Sequence, residues 1–320
     1  KAESPGPSVS RLVPHVKDTA KILYKIYIFI TVTEIILLCA FGMPLFDSLT
    51  LSFGTVGTGG FGILNSSIAD YSPALQIIIT VFMILSGVNY VAYFYLTTKQ
   101  IKEIFHVEEI RVYFGVILAS SIFIAFNIRS LYPTLGECFR HAFFQVGSII
   151  TTTGYATTDF DLWPETSKTI LVLLMFIGAC AGSTGGGLKI SRLLILCKSI
   201  PKQLSLVIHP REIKVIKMDG KAIEHQVMRA TNVYLAIYFF IILGSTLLVS
   251  VDNFDFTTNF TAVVSALNNI GPGLAGVGPT RNFGAFSVFS KFVLMFDMLA
   301  GRLELYPLLI LFMPSLWRRK

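Results

Sequence analysis

Three short strings rich in threonine and glycine decide how this 320-residue sequence folds. They read Thr55-Val-Gly-Thr-Gly-Gly-Phe61, Thr151-Thr-Thr-Gly-Tyr155 and Asn269-Ile-Gly-Pro-Gly-Leu274, and each contains a Gly followed by a bulky residue. The stretches that precede them are apolar and cover residues 45–53, 135–150 and 257–268. A helix needs about 20 residues to cross a bilayer, so we predict that these shorter stretches are re-entrant helices.

Longer apolar runs flank each string. Six of them are long enough to span a membrane, at residues 22–43, 74–98, 112–131, 169–199, 231–251 and 287–313. Charged residues make up only 14% of the chain, against about 25% in soluble domains. Because so few charges cannot cover a soluble surface, the composition excludes a soluble enzyme, a disordered chain and a disulfide scaffold.

The basic residues lie at the ends of the apolar runs. Of the 26 Lys and Arg residues, 20 fall within residues 1–25, 99–111, 189–229 and 317–320. The positive-inside rule makes these four segments cytoplasmic. The alternate connections, which carry the strings, then face outward. The net charge of +7 therefore indicates membrane topology and not a nucleic-acid partner.

The order of helix, short helix, string and helix occurs three times, which is typical of tandem repeats. Gly60, Gly154 and Gly273 hold the same place in the strings when these are aligned on the Gly before the bulky residue, and we predict that they face one axis at one depth. The spacing from Gly154 to Gly273 is 119 residues, against 94 from Gly60 to Gly154, and the polar insert 201–228 accounts for the difference. We predict an all-α membrane protein with repeats over residues 1–110, 111–200 and 201–320, in which run 169–199 is a broken helix.

Non-helical backbone at membrane depth is tolerated only where it lines water or is buried in protein. Small residues let carbonyl oxygens from several strings converge on one axis, and rings of carbonyls replace the hydration shell of K⁺ in potassium filters. We predict that the ion-coordinating residues are Gly57, Thr58, Gly59, Gly60, Thr151, Thr152, Thr153, Gly154, Asn269, Ile270, Gly271, Pro272 and Gly273.

A fourth glycine-rich segment interrupts the run 169–199. This glycine-rich loop comprises Gly182, Ser183, Thr184, Gly185, Gly186, Gly187, Leu188 and Lys189. A phosphate-binding loop needs Gly-Lys-Ser/Thr after a strand, so the separation of Gly187 from Lys189 excludes one. Six small residues in a row would break the helix, whereas a packing face between helices needs fewer. The alternatives are an unwound loop and a close-packing face.

Several polar residues lie inside apolar runs. Charges there are costly and are candidates for function, so Arg302 is either a functional charge or half of an ion pair with Asp297 or Glu304. Glu34 and Asn89 lie within the first and second runs. For both we predict an interhelical hydrogen bond.

The remaining residue classes indicate neither an enzyme nor a metal site. Cysteines at 39, 138, 180 and 197 are not closely paired and are interpreted as packing residues. The five histidines do not form an H-E-x-x-H or H-x-x-E-H motif, and the runs carry no cluster of His, Asp or Glu at one depth. The scattered outward acids are interpreted as solvated, although they could also concentrate cations.

On these residues, the sequence resembles the Trk/Ktr/HKT superfamily of potassium transporters, most closely its bacterial Trk-type membrane subunit. The resemblance rests on Glu3-Ser-Pro-Gly-Pro7, the three strings, Gly182-Ser-Thr-Gly-Gly-Gly-Leu-Lys189, Asn268-Asn-Ile-Gly-Pro-Gly-Leu274 and Gly301-Arg-Leu-Glu304. It implies a pseudo-fourfold ion pore built from four helix–pore-helix–helix repeats. We expect this chain to hold the second to fourth repeats, since three strings are present and the chain begins at Lys1.

The resemblance also implies potassium uptake, passive or coupled, across the bacterial inner membrane. The strings would form the selectivity filter, the glycine-rich loop a gate below it, and Arg302 a charge near the cytoplasmic side of the filter. A homodimer docked to a cytosolic ring of Rossmann-type nucleotide-binding subunits is expected, with no cofactor on this chain. The insert 201–228 and the basic C-terminus are where such a ring could touch. Alternatives are a secondary transporter for a small solute and a Na⁺-permeable channel.

Overall fold

The computed structural model describes residues 16–211, 215–303 and 305–311, and the sequence features at 3–7, Glu304 and 317–320 lie outside these ranges. Apart from one short hairpin, the regular secondary structure of the described residues is helical. The elements are α1 (Val16–Ala40), α2 (Leu45–Val56), α3 (Pro73–Ser86), α4 (Tyr90–Thr97), α5 (Ile101–His106), α6 (Glu108–Asn127), α7 (Leu135–Ile150), α8 (Glu165–Ile177), α9 (Ile190–Ile208), β1 (Lys217–Met218), β2 (Lys221–Ala222), α10 (His225–Val249), α11 (Phe256–Asn268), α12 (Val288–Arg302) and α13 (Leu305–Leu311).

One pattern repeats three times along the chain. A long helix (α1, α6 or α10) is followed by a shorter helix (α2, α7 or α11) and then by a helix in two pieces (α3 and α4, α8 and α9, or α12 and α13). Each shorter helix packs against the elements before and after it, and α7 also packs against α3 of the preceding unit. The shorter helices are therefore enclosed by the others, with their ends toward the middle of the molecule.

The long helices carry the apolar surface expected at a lipid boundary. In the described residues, three helices are long and apolar enough to cross a membrane: Ala20–Ala40, Glu108–Asn127 and His225–Asp252. Large side chains such as Phe29 (71% exposed), Phe240 (76%) and Leu247 (72%) point outward from them. Such a surface explains how a chain with so few charges is solvated.

The predicted continuous helix over 74–98 is wrong. The chain breaks after Ser86, and α3 and α4 meet at 93°. Gly87 and Asn89 lie at the break, and the Asn89 side chain caps α4 by accepting from the Val91 N–H at 2.9 Å. The interhelical bond predicted for Asn89 is thus replaced by a local cap, which satisfies one of the free N–H groups at a helix start.

Other predicted boundaries also shift. The stretch 45–53 becomes α2, which continues to Val56 and takes in the first two residues of its string. The run 287–313 is divided between α12 and α13. The insert 201–228 is partly regular, because α9 reaches Ile208, the β1–β2 hairpin follows and α10 starts at His225.

Side-chain caps explain where two of the shorter helices begin. Thr134 accepts from the Glu137 N–H at 3.2 Å before α7, with the Thr-x-x-Glu spacing of a capping box. Asp255 accepts from the Thr258 N–H at 3.0 Å before α11. Because these caps are local, the starts of both helices are set by sequence close to them.

Candidate functional site

The three shorter helices end in the same way, and these ends form the first part of the site. After α2, the Thr58 N–H donates to the Thr55 carbonyl at 3.1 Å and the Gly59 N–H donates to the Gly54 carbonyl at 2.7 Å. After α7, the N–H groups of Thr152 and Thr153 donate in the same way to the carbonyls of Ile149 and Ser148. After α11, the N–H groups of Asn269 and Ile270 donate to the carbonyls of Ala266 and Ser265. This pattern is the Schellman motif, and it sets the register of each string relative to its helix.

One non-glycine residue in each string has a left-handed backbone conformation. Thr58, Thr152 and Asn269 have φ values of 50°, 59° and 56°. This conformation is uncommon for any side chain and is an outlier for a β-branched residue such as threonine. Strained residues persist only where the surrounding structure over-determines them, and they cluster at functional sites.

A glycine with positive φ follows two residues later in every string. These glycines are Gly60, Gly154 and Gly271, with φ values of 67°, 87° and 109°. The counterpart in the third string is therefore Gly271, and the prediction that assigned Gly273 is wrong. The N–H of Gly273 instead donates to the Val277 carbonyl at 2.7 Å. The register of each string is set by the end of its helix and not by the bulky residue after the glycine. The spacing from Gly154 to its counterpart Gly271 is therefore 117 residues.

Neighbouring strings touch through these glycines. A Cβ on Gly60 would lie 1.7 Å from the Thr153 carbonyl oxygen, and a Cβ on Gly154 would lie 1.8 Å from the Ile270 carbonyl oxygen. Thr153 and Ile270 hold the same register position in successive strings. The strings therefore follow one another in chain order, and the first two each pack their glycine against a carbonyl of the next string.

The shared geometry favours a cation. A helix C-terminus carries a partial negative charge of roughly half an elementary charge. Here the C-terminal ends of α2, α7 and α11 run directly into the strings, and a carbonyl of the second and of the third string lies against a glycine of the string before it. Backbone carbonyls of such a non-helical string can replace water around a monovalent cation.

Tyr155 supports the strings from behind. Its hydroxyl lies 3.3 Å from the Leu51 carbonyl and 3.3 Å from the Phe61 carbonyl, so it reaches both α2 and the end of the first string. Its own carbonyl accepts from the Ser148 hydroxyl at 2.6 Å. A Cβ on Gly54 would lie 2.1 Å from the Tyr155 hydroxyl oxygen, so this approach requires glycine.

We expect Tyr155→Phe to lower the stability of the folded protein by about 1 kcal/mol, because it removes the hydroxyl that contacts those two carbonyls. The measurement is thermal unfolding of the purified protein in detergent. Tyr24→Phe is the matched control, since Tyr24 is 66% exposed on α1. Equal midpoints for both variants and the wild type would contradict this role.

The break between α8 and α9 forms the second part of the site. It runs from Gly178 to Lys189 and contains the glycine-rich loop. Positive φ values occur at Gly178, Gly182, Gly187 and Lys189. The loop is therefore unwound and interrupts the helix between α8 and α9.

The glycine-rich loop lies against the ends of all three shorter helices. The Thr58 hydroxyl donates to the Thr184 carbonyl at 2.9 Å, and the Gly186 N–H donates to the Thr152 hydroxyl at 2.6 Å. A Cβ on Gly186 would lie 2.6 Å from the Asn268 carbonyl oxygen. The two strained threonines thus point their hydroxyl groups at the loop.

The same loop explains the bend between α3 and α4. The Cys180 N–H donates to the Gly87 carbonyl at 3.0 Å, and the Tyr90 N–H donates to the Gly182 carbonyl at 3.1 Å. These bonds satisfy backbone groups that a broken helix leaves free. The two breaks therefore depend on each other.

Arg302 approaches the loop from the third repeat. Its Nη1 donates to the Thr184 carbonyl at 3.1 Å. The preceding Gly301 permits this approach, because a Cβ there would lie 1.6 Å from the Leu267 carbonyl oxygen at the end of α11. Arg302 is thus placed next to the loop and beneath the third string.

Two further acids are buried within the helices. Asp297 of α12 accepts from the Ser245 hydroxyl at 2.7 Å and, within the described residues, forms no ion pair with Arg302. Its suggested alternative, Glu304, lies outside the described residues. Glu34 of α1 is fully buried, and its carboxylate faces the Thr55 side chain of α2, which is the kind of contact between helices that the sequence predicted.

Outward acids tie the loops together. Asp161 accepts from the Ala275 N–H at 3.1 Å, and Asp159 accepts from the Thr280 hydroxyl at 2.9 Å. These bonds join the loops that follow the second and third strings. At the start of α11, hydrogen bonds from the Thr258 hydroxyl and N–H hold the pKa of Asp255 below its usual range.

One residue at this site was not singled out from the sequence. Glu109 lies in the first turn of α6 and is 3% exposed, with its carboxylate toward the α8–α9 break. An acid at the start of an apolar span was the available signal. The sequence carries no further signal for it, because its partners lie more than 70 positions away.

Comparisons with known proteins give a consistent match. Residues 8–319 match the TrkH family, described as cation transport proteins. The Trk system potassium uptake protein TrkH of Salmonella typhimurium is 35% identical over 323 residues, covering 99% of this chain and 66% of that protein. The Escherichia coli K12 protein TrkG is 32% identical over 322 residues, covering 99% and 66%.

A solved structure matches as well. The crystal structure of the potassium transporter TrkH from Vibrio parahaemolyticus has a TM-score of 0.87 and 32% sequence identity, covering 97% of this chain and 67% of that one. The chain thus spans about two thirds of the length of the relatives it matches. The likeness extends over its whole helical arrangement.

Proposed function

The chain belongs to the TrkH family of cation transport proteins, and we propose that it forms most of a pore for potassium uptake. In this proposal the strings 57–60, 151–154 and 269–273 supply the carbonyl oxygens of a selectivity filter. The glycine-rich loop is a gate beneath it, and Arg302 adds a positive charge at the gate. Relatives of this chain are named potassium uptake proteins, which supports the choice of ion.

The observation that carries the proposal is the contact of one unwound loop with three equivalent helix ends. The Thr184 carbonyl accepts from the Thr58 hydroxyl, and the Gly186 N–H donates to the Thr152 hydroxyl. Gly186 also packs closely against the Asn268 carbonyl. A packing face would need small side chains but not hydrogen bonds to two of the strings. An ion that leaves the strings toward the loop would therefore have to displace it.

The proposal extends to assembly and location. We place the protein in the bacterial inner membrane as a homodimer, with a cytosolic ring of nucleotide-binding subunits acting on the gate. The part of the chain available to such a ring includes α9 beyond Pro201 and the β1–β2 hairpin, where Val207 and Ile208 are 80% and 71% exposed. No site for a nucleotide is assigned to the chain itself.

Uptake of ⁸⁶Rb⁺ into liposomes that hold the intact protein tests the proposal. We expect uptake above that of empty liposomes, driven by a K⁺ gradient alone, and inhibition by external K⁺ more than by Na⁺. Uptake that requires a small organic solute would support the secondary transporter. Equal competition by Na⁺ and K⁺ would support the Na⁺-permeable channel, and no cation flux under any condition would overturn the pore.

A further inference from the structure

The ends of the glycine-rich loop are held by one carboxylate from another helix. Glu109 Oε1 accepts from the Ala181 N–H at 2.6 Å and from the Ser191 N–H at 3.0 Å. Ala181 directly precedes the loop, and Ser191 lies in the first turn of α9, just after it. A single oxygen atom therefore sets the distance between the two ends.

The start of α9 needs such a partner. The first N–H groups of a helix have no partner within the helix, and a side chain just before it often accepts from one of them. Lys189 holds this position before α9 but makes no capping side-chain bond. Glu109 supplies a negative oxygen there instead, where the helix dipole also favours a negative charge.

The residue that carries the carboxylate is itself fixed. The Glu108 N–H donates to Asp219 Oδ1 at 2.7 Å, which ties the start of α6 to the turn between β1 and β2. The Glu108 carboxylate pairs with Lys198 of α9, whose amino group also donates to the Lys217 carbonyl at 2.8 Å. Glu109 thus projects from a helix end that is anchored on two sides.

We propose that Glu109 is a positioning residue that clamps the glycine-rich loop in the conformation that lies across the strings. The inference rests on the proposed function, since it assigns a control on that same gate. With the clamp made, the two ends stay together and the loop keeps its contacts with the strings. Without it, two N–H groups lose an acceptor and the loop can move away.

The test is basal ⁸⁶Rb⁺ uptake by the intact protein in liposomes, without a cytosolic partner and normalised to folded protein. Loss of two hydrogen bonds to a charged group is expected to raise uptake by Glu109→Leu about tenfold or more over wild type. Glu109→Gln keeps an acceptor oxygen and is expected to stay closer to wild type than to Glu109→Leu. The matched control is Glu103→Leu, because Glu103 is exposed on α5.

Two further measurements separate clamping from a purely structural role. The K⁺ to Na⁺ permeability ratio should be unchanged in Glu109→Leu, since the strings keep their own hydrogen bonds. If Glu109→Leu does not fold, Glu109→Asp carries the test, because it keeps the charge but is one methylene too short to reach both N–H groups. Its uptake should also rise.

The outcomes separate this inference from the proposed function. A variant with residues 183–186 deleted is measured in parallel. If that deletion raises flux while folded Glu109→Leu and Glu109→Asp stay at the wild-type level, the clamp is overturned and the gate stands. If no variant or wild-type protein carries K⁺ or Rb⁺, the proposed function itself fails. A changed permeability ratio in Glu109→Leu would also overturn the clamp.

Discussion

Gly60→Ser and Gly154→Ser are each expected to reduce the discrimination of K⁺ over Na⁺ by at least about tenfold, or about 1.4 kcal/mol. A Cβ on Gly60 would lie 1.7 Å from the Thr153 carbonyl oxygen, and a Cβ on Gly154 would lie 1.8 Å from the Ile270 carbonyl oxygen. Relieving either clash requires a carbonyl of the proposed filter to turn. The measurement is the permeability ratio of the intact protein in a planar bilayer or in liposomes.

Two controls isolate the cause of this effect. Gly115→Ser adds the same side chain on α6, where no heavy atom of the described residues lies within 4 Å of the new Cβ, and it should leave the ratio unchanged. Gly271→Ala adds a Cβ with no near neighbour at φ of 109°, so it reports backbone strain alone. Wild-type ratios in both Gly60→Ser and Gly154→Ser would remove the filter assignment.

Deletion of residues 183–186 is expected to raise K⁺ flux, even without a cytosolic partner. It removes the Thr184 carbonyl, which accepts from Thr58 and Arg302, and the Gly186 N–H, which donates to Thr152. If these bonds hold the loop closed at about 1 kcal/mol each, flux should increase by more than about tenfold. The measurement is ⁸⁶Rb⁺ uptake into liposomes, normalised to folded protein.

A second variant tests the same prediction if the deletion variant does not fold. Arg302→Gln leaves the loop at full length but weakens its link to the third repeat and removes the positive charge beside it, so its flux should rise as well. Deleting a close-packing face would instead disrupt helix association and lower folded protein and flux together. Flux at or below wild type in well-folded protein of both variants would leave the loop as architecture.

Short-range patterns made the repeated unit predictable. The stretch 135–150 is bounded by a capping threonine and by a string that must leave the helix, and both signals lie within a few residues of the ends of α7. The same locality applies to α11. The strings themselves were recognisable because consecutive Gly and Thr residues at the end of an apolar helix favour a change of backbone conformation.

Predictions that needed distant partners were wrong. Residues 74–98 are mostly apolar and carry no charge, so their sequence favours one helix. The hydrogen bonds from the Cys180 N–H and to the Gly182 carbonyl nevertheless stabilise a break at Gly87. The pairing of Arg302 with Asp297 was plausible because both charges lie in one apolar run, where an unpaired charge is costly. In the structure the Arg302 guanidinium donates to the Thr184 carbonyl in the glycine-rich loop, and the Asp297 carboxylate accepts from the Ser245 hydroxyl of α10.

By itself, the sequence determined the class of protein, the number of repeats and the residues of the strings, because composition, apolar length and glycine position act locally. Only the tertiary structure decided that Gly271 matches Gly60 and Gly154, since backbone bonds at each helix end set that register. It alone placed the glycine-rich loop against the ends of all three shorter helices and Glu109 against both ends of that loop. Those contacts join residues from different repeats, and a hydrogen bond between distant segments leaves no periodic trace in the sequence.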